Sequence, residues 1–248
     1  ETADSFFLSE EGKAVLAQED HPAYMGGMIQ SVVAMFDTVE HLPECFRSGL
    51  GQSFDEKGEG CACGIERMSR KFQTDYLVPA LLPRIDGITE RLTAGASVAD
   101  VGCGGATSTI AMAKAFPASK FIGYDISLHA LERARANIAA AGVSNIKLLN
   151  PAFDPLPEDS SIDFITTFDV VHDSTHPRQL IDAIKNSLKR DGSWLCADVK
   201  GLPTFAENRR DNPMATLAYS FSVLVCMSAG LSTPDGAGLG TLGFHEQK

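Results

Sequence analysis

In the second half of the chain, short apolar runs alternate with stretches in which apolar residues recur at helical spacing. The helical stretches begin and end at residues suited to helix caps, such as Ser127 and Gly142. Strands that alternate with helices indicate an α/β fold with a doubly wound, mostly parallel sheet. Residues 94–248 are predicted to form this unit, with strands at 98–101, 120–124, 146–149, 162–171 and 194–197.

The first 93 residues lack this alternation and are predicted to form a mainly helical N-terminal region. Apolar residues recur at helical spacing over 22–42 and again over 65–92, where two prolines are expected to divide the helix. Residues 46–64 are rich in glycine and charge without a period, which predicts a loop. At the start, residues 6–8 predict a short strand, and Ser9 is expected to cap the helix that follows.

The pattern changes again around the fifth predicted strand. A helix is predicted from Pro177 to residues 191–192, before that strand, and another helix at 214–224, after it. Residues 228–243 are rich in glycine and have no period. Because no later apolar run predicts a strand, the fifth strand is expected to be an exposed edge of the sheet.

Composition and charge restrict the possible partners. The chain has 248 residues, 44% of them hydrophobic, and a formal net charge of −11, which argues against a nucleic-acid partner. Six cysteines are scattered without the paired spacing of a zinc site, so no metal is predicted, and reduced thiols favour a cytoplasmic location. The longest apolar stretch, residues 214–230, is too short to cross a bilayer, so no membrane partner is expected.

A glycine-rich stretch at residues 98–107 organises this half of the chain. An apolar run contains Asp100, the turn that follows contains Gly102 and Gly104, and a helical pattern starts at once. Glycines let a backbone turn sharply and approach a ligand, and a helix N-terminus presents free N–H groups. The next strand ends in Asp125, where an acid can accept hydrogen bonds from a ribose. Together these residues predict a nucleotide-type cofactor site.

Two cofactor classes fit this layout to different degrees. A dinucleotide fingerprint would need glycine at position 107, which is Thr107, and it has no particular need for Asp100. The pattern acid-x-Gly-x-Gly-x-Gly fits, with Ala106 in place of the last glycine. Over residues 96–200 the chain therefore resembles class I S-adenosylmethionine (SAM) dependent methyltransferases. The resemblance implies a Rossmann-like sheet and SAM as cofactor, with S-adenosylhomocysteine as product.

The resemblance also assigns cofactor contacts. The amino-acid end of SAM is expected near Asp100, Gly102 and Gly104, and the ribose at Asp125. The acid that usually marks the adenine position is replaced by Pro151. The adenine is therefore expected to contact backbone groups of Ala152 and to stack on Phe153, and Phe168, near the end of the fourth strand, is the remaining cofactor-binding candidate.

The fourth strand is followed by a candidate catalytic residue. His172-Asp173 resembles the His-Asp-Trp of winged-helix small-molecule O-methyltransferases, with Ser174 in place of Trp. The resemblance implies that His172 is a general base with an ordinary pKa, oriented by Asp169 or Asp173. The alternative is a strand-end histidine bonded to a backbone carbonyl. The remaining histidines singled out lack such a context and are predicted to lie at the surface: His129, His176 and His245.

The beginning of the chain resembles the last wing strand and the following helix of a winged-helix domain. This resemblance, together with the lack of predicted strands after the fifth, implies a sequence truncated at both ends. The apolar faces of the N-terminal helices predict a homodimer formed through them. The predicted function is SAM-dependent methylation of a small molecule, at a hydroxyl. Two alternatives stay open: a regulatory protein that binds SAM or a metabolite without turnover, and an NAD(P)-dependent oxidoreductase.

Overall fold

Five parallel strands form one sheet, in the order β3-β2-β1-β4-β5. The structure is a computed structural model and describes residues 6–243, so His245 lies outside it. The strands are β1 (Ser97–Val101), β2 (Lys120–Tyr124), β3 (Ile146–Leu149), β4 (Ile162–Phe168) and β5 (Leu188–Ala197). The predicted α/β class and parallel sheet are confirmed.

Helices precede the sheet, connect its strands and follow it. The chain forms α1 (Glu10–Leu16), α2 (Gly26–Val39), α3 (Leu42–Ser48), α4 (Gly58–Asp75), α5 (Ile88–Ala94), α6 (Thr107–Ala115), α7 (Leu128–Ala141), α8 (Pro177–Ser187), α9 (Phe205–Asp211), α10 (Ala215–Leu224) and α11 (Cys226–Gly230). Short π and 3₁₀ turns occupy Leu77–Leu81, Leu82–Arg84 and Val171–Asp173. The predicted division at residues 93 and 94 falls at the end of α5.

Apolar side chains cover both faces of the sheet, which is the doubly wound arrangement. On one face, Phe121 and Phe164 pack against Met112 of α6 and Leu92 of α5. On the other face, Ile165 packs with Ile184 of α8. The central strands β1 and β4 are buried on both faces, which is typical of a parallel sheet covered by helices.

Local capping signals in the sequence were good guides to helix ends. The Ser9 hydroxyl accepts a hydrogen bond from the N–H of Gly12, and that of Ser127 accepts one from Ala130, as predicted for helix N-caps. Helix α7 ends at Gly142, whose φ of 66° lies in the left-handed region that glycine tolerates.

Three predicted elements were wrong. Residues 6–8 form no strand, and the structure gives them no strand to pair with. The loop predicted over 46–64 instead contains the end of α3 and the start of α4, where Gly64 allows close packing against α2. A Cβ on Gly64 would lie 2.4 Å from Ser31 Oγ of α2. Helix α8 ends at Ser187 rather than near residue 191, because the chain from Leu188 onward pairs with β4 across a bulge.

The N-terminal region packs against the C-terminal helices as well as against the sheet domain. Met35 of α2 lies in one apolar cluster with Val225 and Cys226. The N–H of Gly51 donates to the carbonyl of Leu231 at 2.9 Å. The segment between α3 and α4 is therefore hydrogen-bonded to the chain at the end of α11.

Strand β5 lies at one edge of the sheet, as predicted, and β3 lies at the other. Residues 6–243 contain no sixth strand. Within the same range, the structure has no helix with both the length and the apolar character that crossing a membrane requires.

Candidate functional site

The loop after β1 is shaped by three residues in left-handed conformation. Gly102 has φ 71°, Gly104 has φ 55° and Ala106 has φ 60°. A Cβ on Gly102 would lie 2.3 Å from Val170 Cγ2, so only glycine allows the loop to approach the end of β4. Ala106 adopts the same backbone region at a cost of about 1–2 kcal/mol, which explains why the related pattern has glycine there.

Asp100 lies beneath this loop and is fully buried. Its Oδ2 accepts hydrogen bonds from the hydroxyls of Ser108 and Thr109, each at 2.6 Å, and its Oδ1 accepts one from Thr166 at 2.8 Å. Burial raises the pKa of this carboxyl group, and the hydroxyl bonds oppose that rise. Asp100 thus orders the start of α6, and direct contact with SAM stays a prediction.

Asp125 joins the ends of β1 and β2. Its Oδ2 accepts the N–H of Gly104 at 2.8 Å, and its Oδ1 accepts the N–H of Ser127 at 2.9 Å. Burial raises the pKa of Asp125, and the two backbone hydrogen bonds oppose that rise. The sequence predicted this carboxylate at the loop, and the structure brings the two into direct contact.

The predicted adenine contacts lie in the turn after β3. The N–H of Ala152 already donates to Asn150 Oδ1 at 2.9 Å, while Asn150 Nδ2 donates to the carbonyl of Ile126. Phe153 is 82% exposed, so its ring is available for stacking. Asn150, which the sequence reasoning did not single out, is the residue that connects this turn to the loop after β2.

Phe168 ends β4, half-buried, with its ring 6.5 Å from that of Phe72 in an edge-on arrangement. Phe72 belongs to α4, so an N-terminal helix reaches this end of the sheet. The aromatic pair fixes the position of Phe168 below the loop that carries the catalytic candidate. A contact between Phe168 and SAM stays a prediction.

His172 is 2% exposed and lies in the 3₁₀ turn that follows β4. Its Nδ1 lies 2.5 Å from Asp198 Oδ1, and its Nε2 lies 3.3 Å from Asp173 Oδ1. The alternative of a bond to a backbone carbonyl is therefore wrong. The orienting acid is Asp198, just after β5, rather than Asp169 or Asp173 alone. Sequence reasoning missed it because only the pairing of β4 with β5 brings residues 172 and 198 together.

The ionisation of this cluster differs from the ordinary values. Burial by itself would lower the pKa of His172, but its hydrogen bonds with Asp198, which accepts from Nδ1–H, and with Cys226, together with the charge of Asp173, raise the pKa to about 11. Burial of the Asp169 carboxyl group raises its pKa to about 6, and its φ of 55° is strained for a non-glycine residue. The expectation of an unperturbed imidazole was wrong, because two carboxylates surround the ring.

The cluster also contains donor atoms suited to a metal. Ligand atoms of His172, Asp173 and Cys226 lie within 4.8 Å of one another, as do those of Asp169, His172 and Asp198. The sequence predicted no metal because the cysteines lack the paired spacing of a zinc site, and Asp198 and Cys226 reach His172 only through the fold. The buried Lys57 ammonium interacts electrostatically with Asp173. This positive charge opposes the binding of a metal ion beside the Asp173 carboxylate.

The profile of the methyltransferase domain family matches residues 92–228, more than half of the chain. The chain belongs to this family. Among curated proteins, none matches its sequence. Its cofactor is SAM, and membership of this family argues against the oxidoreductase alternative. The residues present fit SAM, because the loop has the glycine conformations of a close backbone approach and Asp125 presents an acid at the adjacent strand end.

Solved structures show the same fold. A candidate O-methyltransferase from Nostoc punctiforme is 19% identical with a TM-score of 0.66, and the alignment covers 98% of this chain and 70% of that one. An O-methyltransferase family protein from Burkholderia thailandensis is 16% identical, with the same TM-score and coverage of 98% and 69%. PigF in complex with SAH is 17% identical with a TM-score of 0.63, and coverage is 88% and 67%. These identities support a common fold for the methyltransferase and not a common substrate.

Replacing Asp125 tests the ribose assignment. Asp125→Ala is expected to weaken SAM binding roughly 10- to 150-fold, because the hydrogen bonding lost at a charged group corresponds to about 1.5–3 kcal/mol. Asp125→Asn, which keeps the shape of the side chain, should lose less. Isothermal titration calorimetry measures both, with the exposed Asp159→Ala as the charge-matched control. Unchanged affinity in a folded Asp125→Ala protein would remove Asp125 from the cofactor site.

Proposed function

We propose that this methyltransferase transfers a methyl group from SAM to a hydroxyl group of a small molecule. The observation that supports this best is the buried pair of His172 and Asp198 at the carboxyl ends of β4 and β5. In parallel sheets these strand ends carry the reactive groups. The loop after β1, residues 102–106, which we call the SAM loop, lies at the same edge. Val170, two residues before His172, packs directly against Gly102 of that loop.

The proposed reaction requires a base and an aligned acceptor. When bound, SAM supplies an electrophilic methyl group on a sulfonium. An acceptor hydroxyl held against that methyl group would pass its proton to His172 Nε2 as its oxygen takes the methyl group and S-adenosylhomocysteine leaves. Asp198 accepts the hydrogen bond from Nδ1–H, which fixes the tautomer and stabilises the imidazolium that forms. Positioning the two reactants contributes as much as the base, because it makes the displacement effectively intramolecular.

Removing the imidazole tests the base. His172→Ala should lower methyl transfer by about 10²–10⁴-fold with little change in SAM affinity, which is the usual effect of losing a general base. The assay uses a panel of aliphatic alcohols and phenols and measures S-adenosylhomocysteine by mass spectrometry. His176→Ala is the control, because His176 pairs with the exposed Asp235 outside this cluster.

The outcomes of this experiment separate the alternatives. Near-normal turnover by His172→Ala would place the base elsewhere, or indicate an acceptor such as a thiolate that needs none. If the wild-type protein binds SAM but methylates no member of a wide acceptor panel, the regulatory alternative gains support.

The pH dependence follows from the raised pKa of His172. An imidazole with a pKa of about 11 is protonated at neutral pH, so the fraction able to accept a proton grows with pH. With an aliphatic alcohol as acceptor, the rate should rise between about pH 7 and 9 rather than level off above the ordinary histidine pKa near 6.5. Asp198→Asn removes a group that raises this pKa, so the rising limb should move to lower pH.

The matched control for this measurement is Asp235→Asn, which alters the carboxylate–histidine pair at His176. It should leave the pH profile unchanged. A profile of Asp198→Asn that coincides with that of the wild-type protein would contradict the role of Asp198.

We also propose that two copies of the chain associate through α2. One side of this helix exposes Ile29, Val33 and Phe36, which are 48%, 62% and 68% exposed at spacings of four and three residues. A helix stripe of this kind can pack against itself across a two-fold axis. Light scattering at tens of micromolar should therefore show a dimer.

Phe36→Glu should shift the protein to monomer, because it places a charge in the apolar contact. The control Phe153→Glu makes the same chemical change at an exposed phenylalanine in the turn after β3. A wild-type protein that is monomeric at these concentrations would contradict the proposal.

A further inference from the structure

One buried acid in the N-terminal region has no part in the proposed reaction. The side chain of Glu66, in the middle of α4, is 1% exposed. A buried carboxylate is costly unless charged partners surround it. Glu66 has two: Arg70 lies one turn further along α4, at 2.5 Å, and Arg133 comes from α7, with Nε and one terminal nitrogen each 2.9 Å from Oε2.

The same carboxylate lies against the SAM loop. A Cβ on Gly105 would be 2.3 Å from Glu66 Oε2, so the acid packs directly on the backbone of the loop. On its other side, the carbonyl of Gly105 accepts a hydrogen bond from Asn137 Nδ2 of α7 at 2.8 Å. Gly105 is therefore enclosed by an N-terminal helix and by a helix of the sheet domain, which the Glu66–Arg133 pair connects.

The two arginines do not contribute equally. Arg70 is on the same helix as its partner and is half exposed, so its ion pair is screened by solvent and connects no separate elements. Arg133 is less exposed, bonds to Glu66 through two nitrogens and bridges α4 to α7. Of the two ion pairs, only the second connects α4 to α7 and so holds Glu66 against the loop from both helices.

A second acid of the N-terminal region makes a related contact. Asp55 Oδ1 accepts hydrogen bonds from the Ser127 hydroxyl and from the N–H of Leu128, both at 2.8 Å, at the start of α7. The N–H of Ser127 donates to Asp125, the proposed ribose-binding acid. Both loops of the cofactor site are thus contacted by acids that precede the sheet domain in the sequence.

We propose that Glu66 is a positioning residue of the cofactor site, and that docking of α4 and binding of SAM stabilise each other. The proposal rests on SAM binding, and it does not depend on the acceptor. When Gly105 is held in place, the SAM loop has one conformation before the cofactor binds. Binding then does not have the free-energy cost of ordering the loop, so the affinity is higher. Linkage then requires the reverse effect: bound cofactor must stabilise the docked position of α4 by the same factor.

The test uses S-adenosylhomocysteine as the probe, with affinity measured by calorimetry. Glu66→Gln and Arg133→Gln should each weaken binding by about tenfold or more, since each breaks a partly buried charged pair beside the loop. The double variant should lose little beyond either single variant, because the two residues act through one contact. Arg70→Gln is the matched control and should stay within about threefold of the wild type.

Hydrogen exchange provides a second measurement, which would not change if Glu66 served only to stabilise the fold. It can be made first on the wild-type protein, where no substitution disturbs folding. S-adenosylhomocysteine should slow amide exchange in α4, residues 58–75, in the wild-type protein and in Arg70→Gln. This protection should be lost in Arg133→Gln, whose side chain lies nearer the surface and is less critical for folding.

Two results would overturn the inference. One is affinity within about twofold of wild type in folded Glu66→Gln and Arg133→Gln proteins, which would leave less than half a kcal/mol of coupling. The other is that S-adenosylhomocysteine slows amide exchange in the SAM loop but not in α4. Failure to methylate any hydroxyl would contradict the proposed function but not this coupling, because no acceptor is present in either measurement.

Discussion

The hydrogen bond from the N–H of Gly104 to Asp125 is the contact on which the rest of the site depends. It connects the loop after β1 to the end of β2, and it forms only because parallel pairing brings these strand ends to the same edge. The left-handed glycines allow the loop to reach the carboxylate, and Asp100 supports the loop from below through three hydroxyls. A change in any of these contacts would move the surface that SAM approaches.

The cluster around His172 shows how burial and charge oppose each other. A buried imidazole favours its neutral form, yet Asp198 at 2.5 Å and Asp173 at 3.3 Å favour the charged form more strongly. Within residues 6–243, Asp198 Oδ2 is buried and accepts no hydrogen bond, and Asp173 Oδ1 is buried with only its ionic contact to His172 Nε2. Such incompletely paired groups are costly in a purely structural role, which is consistent with a site where a substrate completes the pairing.

The N-terminal helices are part of this architecture rather than an attached unit. Small residues allow α4 to lie close to α2 on one side and to the SAM loop on the other: Gly64 faces Ser31, and Gly105 faces Glu66. Larger residues at these glycines would separate the layers. The packing therefore makes the conformation of the loop sensitive to a helix that lies before the sheet domain.

The sequence alone determined the α/β class, most strand positions, the caps of α1 and α7 and the SAM loop with its partner acid. These features depend on local periodicity, on backbone conformations that favour glycine, and on motif spacing, all of which are properties of neighbouring residues. The family match at residues 92–228 agrees with that reading. The sequence also placed His172 at the end of the fourth strand beside Asp173, whereas the structure has it in a 3₁₀ turn after β4. The sequence could give no information about partners distant in the chain.

Tertiary structure decided the rest, because the remaining interactions join residues that only packing brings together. Asp198 reaches His172 through the pairing of β4 with β5, and this contact changes the charge of the imidazole. The extension of β5 back to Leu188 followed from strand pairing, which prevailed over a helical pattern in the sequence. Likewise, the glycine-rich stretch near residue 60 is typical of a loop in sequence but forms the start of α4, where close contact with α2 requires a glycine at position 64.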